Sequence, residues 1–392
     1  MRLRLSLFWF FYFAALGIFF PYFALYLREN CALNGAQMGA VQAVFPLVGI
    51  LAQPFWGQVA DRSGARAQLL AFLTLVAAAG FSAIAWAQGF TQMLLVTAVW
   101  SLFATAVVPL GVSVNMAALG PAAAQLFGYV RVWGTVSFLL AVAGFPVLLH
   151  AVQAARGLAR GGGPVSEPGL ELMFPVAGVL ALLGAVSAWY LPRSGGVALR
   201  AERGDWRLLL RNRDVQRLLA FTLGAYLFTQ GPMAIFPVYV RSLGGDLDMV
   251  GKMWVFMLAL EIPLVAFSGP GFRRLGGRAL LGIGTAAGGL RWIACALSDD
   301  LRVIYPVQLL HGVVVAGMMI GGSLHLDTVV PERLRSTAQA LLATIGVGIG
   351  GILSNIATGL LLDSTGIVVP YLAGGCGALL LGLSVPWVLR KN

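Results

Sequence analysis

Apolar residues dominate the chain in runs that are repeatedly interrupted by short polar breaks. Twelve such runs stand out: 6–27, 37–59, 67–88, 92–118, 127–149, 171–192, 217–240, 249–271, 278–298, 302–326, 337–361 and 366–389. A bilayer core of about 30 Å is crossed by a helix of about 20 apolar residues rising about 1.5 Å per residue. Each run therefore predicts one membrane-crossing helix. The start, Met1-Arg2-Leu3-Arg4 before an apolar run, has the outline of a secretory signal. That run continues past Leu27, too long for a cleaved core, so it predicts a retained first span.

Six runs precede and six follow the longest charged stretch, Arg193 to Arg217. The expected organisation is an N-terminal six-helix bundle over 1–192, a cytoplasmic linker over 193–216 and a C-terminal six-helix bundle over 217–392. The fold class is an all-α membrane protein with twelve transmembrane helices in two pseudo-symmetric bundles.

Composition agrees. Of 392 residues, 59% are hydrophobic and 10% charged, against roughly 45–50% and about 25% in soluble domains. This excludes an ordinary cytosolic enzyme, a disordered chain and a secreted disulfide scaffold. A net charge of +11 would by itself suggest a nucleic-acid partner. Its distribution says otherwise: 18 Lys and Arg fall on the side of the two termini and 5 on the other. By the positive-inside rule both termini are cytoplasmic, in a bacterial-type inner membrane, and the excess reports topology rather than nucleic acid. Cys31, Cys295 and Cys376 lie far apart without a CxxC pair or a His/Cys cluster, so no metal or cofactor is expected.

Two pairs of features repeat at nearly one offset. Gly57, Arg62, Gly64 and Arg66 recur as Gly269, Arg274, Gly276 and Arg278, and Phe20-Pro21 recurs as Phe236-Pro237. Each pair falls in equivalent spans, which argues for duplicated halves. The 50 glycines, many inside spans, allow close helix approach in a membrane.

The segment Gly57-Gln-Val-Ala-Asp61-Arg62-Ser-Gly64-Ala-Arg66 sits at the short cytoplasmic turn between spans two and three. It resembles the signature G-x-x-x-D-R-x-G-x-R/K of the major facilitator superfamily, at the matching span and side. The resemblance implies the major facilitator fold and a gating role for Gly57, Asp61, Arg62, Gly64 and Arg66. In the second copy Arg273 stands in the place of Asp61, so that copy lacks the acidic part.

Ionisable residues inside spans cost at least about 2.5–3.5 kcal/mol at the bilayer centre, which makes them functional candidates. Glu261, Arg291 and His311, with Gln308 nearby, lie in spans eight, nine and ten. Counting about 1.5 Å per residue puts Arg291 and His311 at one depth, roughly 4–5 Å from the centre, with Glu261 close to it. A carboxylate and an arginine whose separation changes during transport can hold and release a proton, and His311 can relay it. The alternative is a static ion pair that fixes helix packing.

The strings Leu290-Arg-Trp and Val307-Gln-Leu-Leu-His-Gly312, with Phe127-Gly-Tyr-Val-Arg131-Val-Trp133-Gly134, resemble one branch of the superfamily. That branch holds the phenylpropionate permeases, lactose permease and nucleoside–proton symporters. The resemblance implies that Arg131 contacts substrate. Lactose permease has an acidic residue eighteen before the matching arginine, where this chain has Ser113 with Asn115 close by, and a glutamate three after its histidine, where this chain has Val314. These departures argue against a galactoside and favour an anionic or aromatic solute. Tyr22, Asn355 and Gln308 complete the expected substrate contacts. The expected function is proton-coupled import of a small organic solute, for instance an aromatic acid such as phenylpropionate, by a monomer using alternating access. A proton-driven exporter of hydrophobic compounds and a nucleoside or sugar symporter are the alternatives. No nucleophile set, phosphate loop or metal cluster suggests an enzyme.

Overall fold

The computed structural model describes residues 1–158, 167–192, 205–266 and 270–390. Helix occupies each of the twelve predicted runs, and no strand occurs among the described residues. The first six runs are α1 (Arg2–Glu29), α2 (Gly35–Ser63), α3 (Arg66–Trp86), α4 (Gly89–Leu119), α5 (Ala123–Arg156) and α6 (Met173–Trp189). A short α7 (Asp205–Arg211) precedes α8 (Arg213–Ala234) and α9 (Phe236–Ser242), which share the seventh run. Then come α10 (Leu247–Ala266) and α11 (Pro270–Leu297). The tenth run is divided into α12 (Leu301–Val307), α13 (Leu310–Val315) and α14 (Gly321–Val329), and the eleventh into α15 (Arg335–Ala343) and α16 (Gly351–Thr365). The last holds α17 (Val368–Leu383) and α18 (Val385–Val388). Of the expected linker, 193–204 lies outside the described residues, as does Gly269 of the second motif copy.

Nine helical stretches among the described residues are long and apolar enough to cross a membrane, or ten if α8 and α9 count as one span bent by 47°. The bend has a local cause. Pro237, the second residue of α9, has no N–H to continue the ladder back to Met233. Two further irregularities are π-helical: Ala316–Ile320 joins α13 to α14, and Thr344–Gly350 joins α15 to α16. Such segments concentrate at functional sites because they re-aim the side chains that follow.

The packing divides the chain into two units. The first comprises Met1–Leu33, Val44–Ala198 and Val240–Trp254; the second comprises Asn34–Ala43, Leu199–Tyr239 and Val255–Asn392. In the first unit α1 packs on α5 and α6, and α3 packs on α4 and α6. Its core includes Phe8, Trp9, Tyr12, Leu70, Val107 and Leu110. The repeated motif has a glycine of positive φ at the same position in both copies. Gly64 (φ 65°) and Gly276 (φ 78°) both occupy the left-handed region that glycine tolerates, and Gly276 breaks α11 into two helical pieces.

In the second unit α11 is gripped on two faces. Gly277 and Gly284 meet the backbone around Gly321 and Gly317, while Gly282 and Gly289 meet that around Gly382 and Gly375. Seven residues are almost two helical turns, so each pair lies along one face. Hydrocarbon tails are as apolar as leucine, and helices in a membrane therefore associate by backbone proximity at small residues. Arg291 follows Gly284 by seven more residues and so points the same way, toward α13.

Candidate functional site

Arg291 is 1% exposed, and its guanidinium is held on every nitrogen. Nε donates to Gln308 Oε1 at 2.8 Å, and Nη1 lies 3.0 Å from His311 Nδ1. Nη2 donates to two thioethers, Met233 Sδ at 3.5 Å and Met257 Sδ at 3.3 Å. The guanidinium carbon lies 4.0 Å from the Trp292 ring centroid and 5.5 Å from that of Phe236, a cation–π setting that compensates part of the lost hydration. Among the described residues its hydrogen-bond partners are all neutral.

Gln308 is fixed in turn. Its amide nitrogen donates to the Ile304 carbonyl at 3.1 Å and reaches Cys295 Sγ at 3.7 Å, which leaves the oxygen for Arg291. His311 continues the chain on its other side, with Nε2 3.6 Å from Glu261 Oε2. The expected neighbours Glu261 and Arg291 are thus linked through His311. Gly312 permits this: a Cβ there would lie 2.6 Å from the Glu261 amide nitrogen, so only glycine lets α13 approach α10 so closely. Because an arginine N–H can only donate, Nδ1 accepts, and the neutral ring carries its proton on Nε2, facing the carboxylate.

A cavity of about 450 Å³ opens beside this chain. Arg291, His311, Trp292, Met233, Tyr226 and Gln230 line it, together with Met318, Met319 and Val347 from the two π-helical segments. It is an apolar, aromatic and sulfur-rich space with one cationic group, a pattern suited to a small ligand with a polar end.

The remaining expected substrate residues are placed as follows. Arg131 stacks its guanidinium 3.8 Å from the Phe13 centroid and 4.7 Å from that of Trp9. Asn115 is fully buried; its amide donates to the Gly111 carbonyl at 2.8 Å, and its Oδ1 has no hydrogen-bond partner among the described residues. Asn355 Oδ1 is likewise buried without one in the second unit. Tyr22 is a packing strut: its hydroxyl donates to the Val142 carbonyl at 2.8 Å and its ring rests on Phe145. Gln308 serves Arg291 rather than the cavity, being 0% exposed and absent from the lining. In the motif, Asp61 pairs with Arg66 at 2.8 Å across the Gly64 turn, Arg62 is exposed, and a Cβ on Gly57 would meet nothing within 4 Å.

Sequence reasoning misses a buried ionic cluster in the first unit. Arg241 donates to Glu29 at 2.8 Å and to Glu167 at 2.6 Å, and Gln153 donates to Glu167 at 2.7 Å. Along the chain Arg241 reads as a loop charge. The signal that could have found the cluster is that all three charges fall at span ends on the same predicted side. Met233 and Met257 are missed as well, since methionines in apolar spans carry no distinguishing pattern.

The model of the MFS_1 like family matches residues 2–373. The chain is 29% identical to the maltose permease of Geobacillus stearothermophilus over 93% of this chain and 89% of that one. It is 28% identical to the "Probable 3-phenylpropionic acid transporter" of Escherichia coli K12, over 78% and 77%. Among solved structures, the nucleoside transporter NupG superposes with a TM-score of 0.80 at 17% identity, covering 100% of this chain and 99% of that one.

Proposed function

The chain belongs to the MFS_1 like family of the major facilitator superfamily, a multi-pass membrane transporter rather than an enzyme, and we propose that it imports a small aromatic carboxylate together with protons. The observation that carries this reading is the buried Arg291 guanidinium, whose partners are neutral and which lines an aromatic and methionine-rich cavity. A carboxylate is a much stronger acceptor for that group than a thioether or a hydroxyl. In this reading Glu261, His311 and Arg291 carry the proton. Asn355 and, in the first unit, Arg131 and Asn115 contribute to solute recognition, and Asp61 with Arg66 governs gating. The halves 1–192 and 217–392, joined by 193–216, act as the two repeats of an alternating-access carrier in the inner membrane, a monomer with both termini cytoplasmic.

A second reading is a sugar carrier. Similarity to a maltose permease over 93% of the chain favours it. Uptake into proteoliposomes under an imposed pH gradient separates the two: 3-phenylpropionate should accumulate and maltose should not. Glu261→Gln should abolish accumulation and retain exchange. Accumulation of maltose alone would establish the sugar reading instead.

A further inference from the structure

We propose that Met233, Met257 and the Nδ1 of His311 are place-holders on Arg291 that the carboxylate of the solute displaces, and that His311, once released, takes up the co-transported proton. This rests on the carboxylate reading above and adds to it the residues that select for an anion and the step that couples it to a proton.

The geometry supplies each part. Nη1 and Nη2, the two nitrogens that form the outer fork of the guanidinium, are those held by His311 and by the two thioethers. Nε is tied to Gln308, whose own amide is anchored to Ile304 and Cys295. The arginine is therefore positioned through Nε while its fork faces weak acceptors. Thioether sulfur is a weak hydrogen-bond acceptor, whereas a carboxylate binds an arginine fork through two parallel bonds. A neutral hydroxyl solute lacks that advantage, so the methionines favour anions by being easily displaced.

Displacement has a consequence for His311. While Nη1 points at Nδ1, a proton on Nδ1 would face an N–H donor of a cation. Once Nη1 turns to the solute, Nδ1 is open, and a proton from water can bind there. The imidazolium then holds one proton on each nitrogen, with Nε2–H facing Glu261, 3.6 Å away. The groups facing His311 are Arg291 from α11, Glu261 from α10 and Gln308 beside α13; α8 presents the neutral Tyr226, Thr229 and Gln230 to the same cavity. The charges balance. One anion and one proton enter a site that already contains one arginine and one carboxylate, and its net charge is unchanged. No bond other than the N–H on Nδ1 is made.

The test uses the purified full-length chain in detergent at pH 7.5. Calorimetric titration with 3-phenylpropionate in two buffers of different ionisation enthalpy reports protons taken up per solute bound. The expected value is close to one. His311→Gln should still bind and take up close to none, and Met257→Glu, which offers the fork a built-in carboxylate, should weaken binding at least tenfold. Wild-type protein provides a check that needs no variant. With three histidines in the chain, 15N-histidine spectra should show one ring passing from neutral to imidazolium when solute is added. Binding without proton uptake, or uptake that survives His311→Gln, overturns this coupling step while leaving the substrate class standing. Failure of 3-phenylpropionate and benzoate to bind wild type at all removes the carboxylate reading, and this inference with it.

Discussion

Replacing Arg241 by methionine keeps most of the side-chain stem and removes the cation that holds a buried cluster together. Arg241, Glu29 and Glu167 have side-chain exposures of 4%, 7% and 1%. The guanidinium makes contacts of 2.8 and 3.3 Å to Glu29 and 2.6 Å to Glu167, and Glu29 also accepts the Glu167 amide at 3.0 Å. Without the arginine, two carboxylates remain in a space closed to water. Breaking a buried ion pair from one side typically costs about 3–5 kcal/mol. For a compact unit of about 200 residues, each kcal/mol lowers the unfolding midpoint by about 2–4 °C, so Arg241→Met should melt on the order of 10 °C lower. Glu167→Gln is the informative contrast. It keeps an oxygen for Arg241 and removes one of two negative charges, but its amide NH2 meets that of Gln153, which retains the Pro168 carbonyl at 2.8 Å, so its cost should be about 1–3 kcal/mol, below that of Arg241→Met. Tryptophan fluorescence during heating in detergent reads this unit through the buried Trp9 and Trp100. Adding Glu29→Gln and Glu167→Gln to Arg241→Met should recover part of the loss. An Arg241→Met protein that melts within about 2 °C of wild type, less than the loss of one kcal/mol would cause, would refute the reasoning. So would a Glu167→Gln protein that falls as far as Arg241→Met.

Three other outcomes follow from the same structure. Gly289→Ala should lower stability by about 1–3 kcal/mol, because its Cβ would press on the backbone of Leu379 and Gly375; Gly128→Ala, inside α5 with nothing within 4 Å, should leave the melting temperature equal or slightly higher. Asp61→Asn should leave the melting temperature nearly unaltered, since its partner contact is half exposed and such pairs contribute at most about 1 kcal/mol. Transport in proteoliposomes should nevertheless fall about tenfold or more, and an unchanged rate would remove Asp61 from gating. Gln308→Leu deletes the acceptor that orients Arg291 Nε; a hydrogen bond to a charged group is worth about 1.5–3 kcal/mol, so 3-phenylpropionate affinity measured by calorimetry should drop at least tenfold.

Much of the fold is legible along the chain because the bilayer imposes one-dimensional rules. Span length, the placement of charge and the Gly64/Gly276 repeat can all be counted, and the two glycines both take a positive φ. Depth is legible too: Arg291 and His311, expected at one level from opposite directions of travel, lie in contact. Direction around each helix is not. Tyr22 reads as a ligand contact, and its hydroxyl instead joins α1 to the Val142 carbonyl of α5. Gln308 reads as a solute contact and instead positions Arg291. Both are polar groups on apolar helices, and composition does not separate a group that meets a ligand from one that meets a neighbouring backbone.

The amino-acid sequence by itself determined which runs of residues form apolar helices, which ionisable groups they carry, and how far along each helix those groups lie. Only the tertiary structure decided what meets what. It placed His311 between Arg291 and Glu261, set Met233 and Met257 against the arginine fork, and gathered Glu29, Glu167 and Arg241 into one buried cluster. The physical reason is that rise along a helix is constant at about 1.5 Å per residue, whereas the facing of helices depends on where small residues let backbones approach. Gly284 against Gly317 and Gly312 against Glu261 set that facing here, and each of those contacts joins residues remote in the chain.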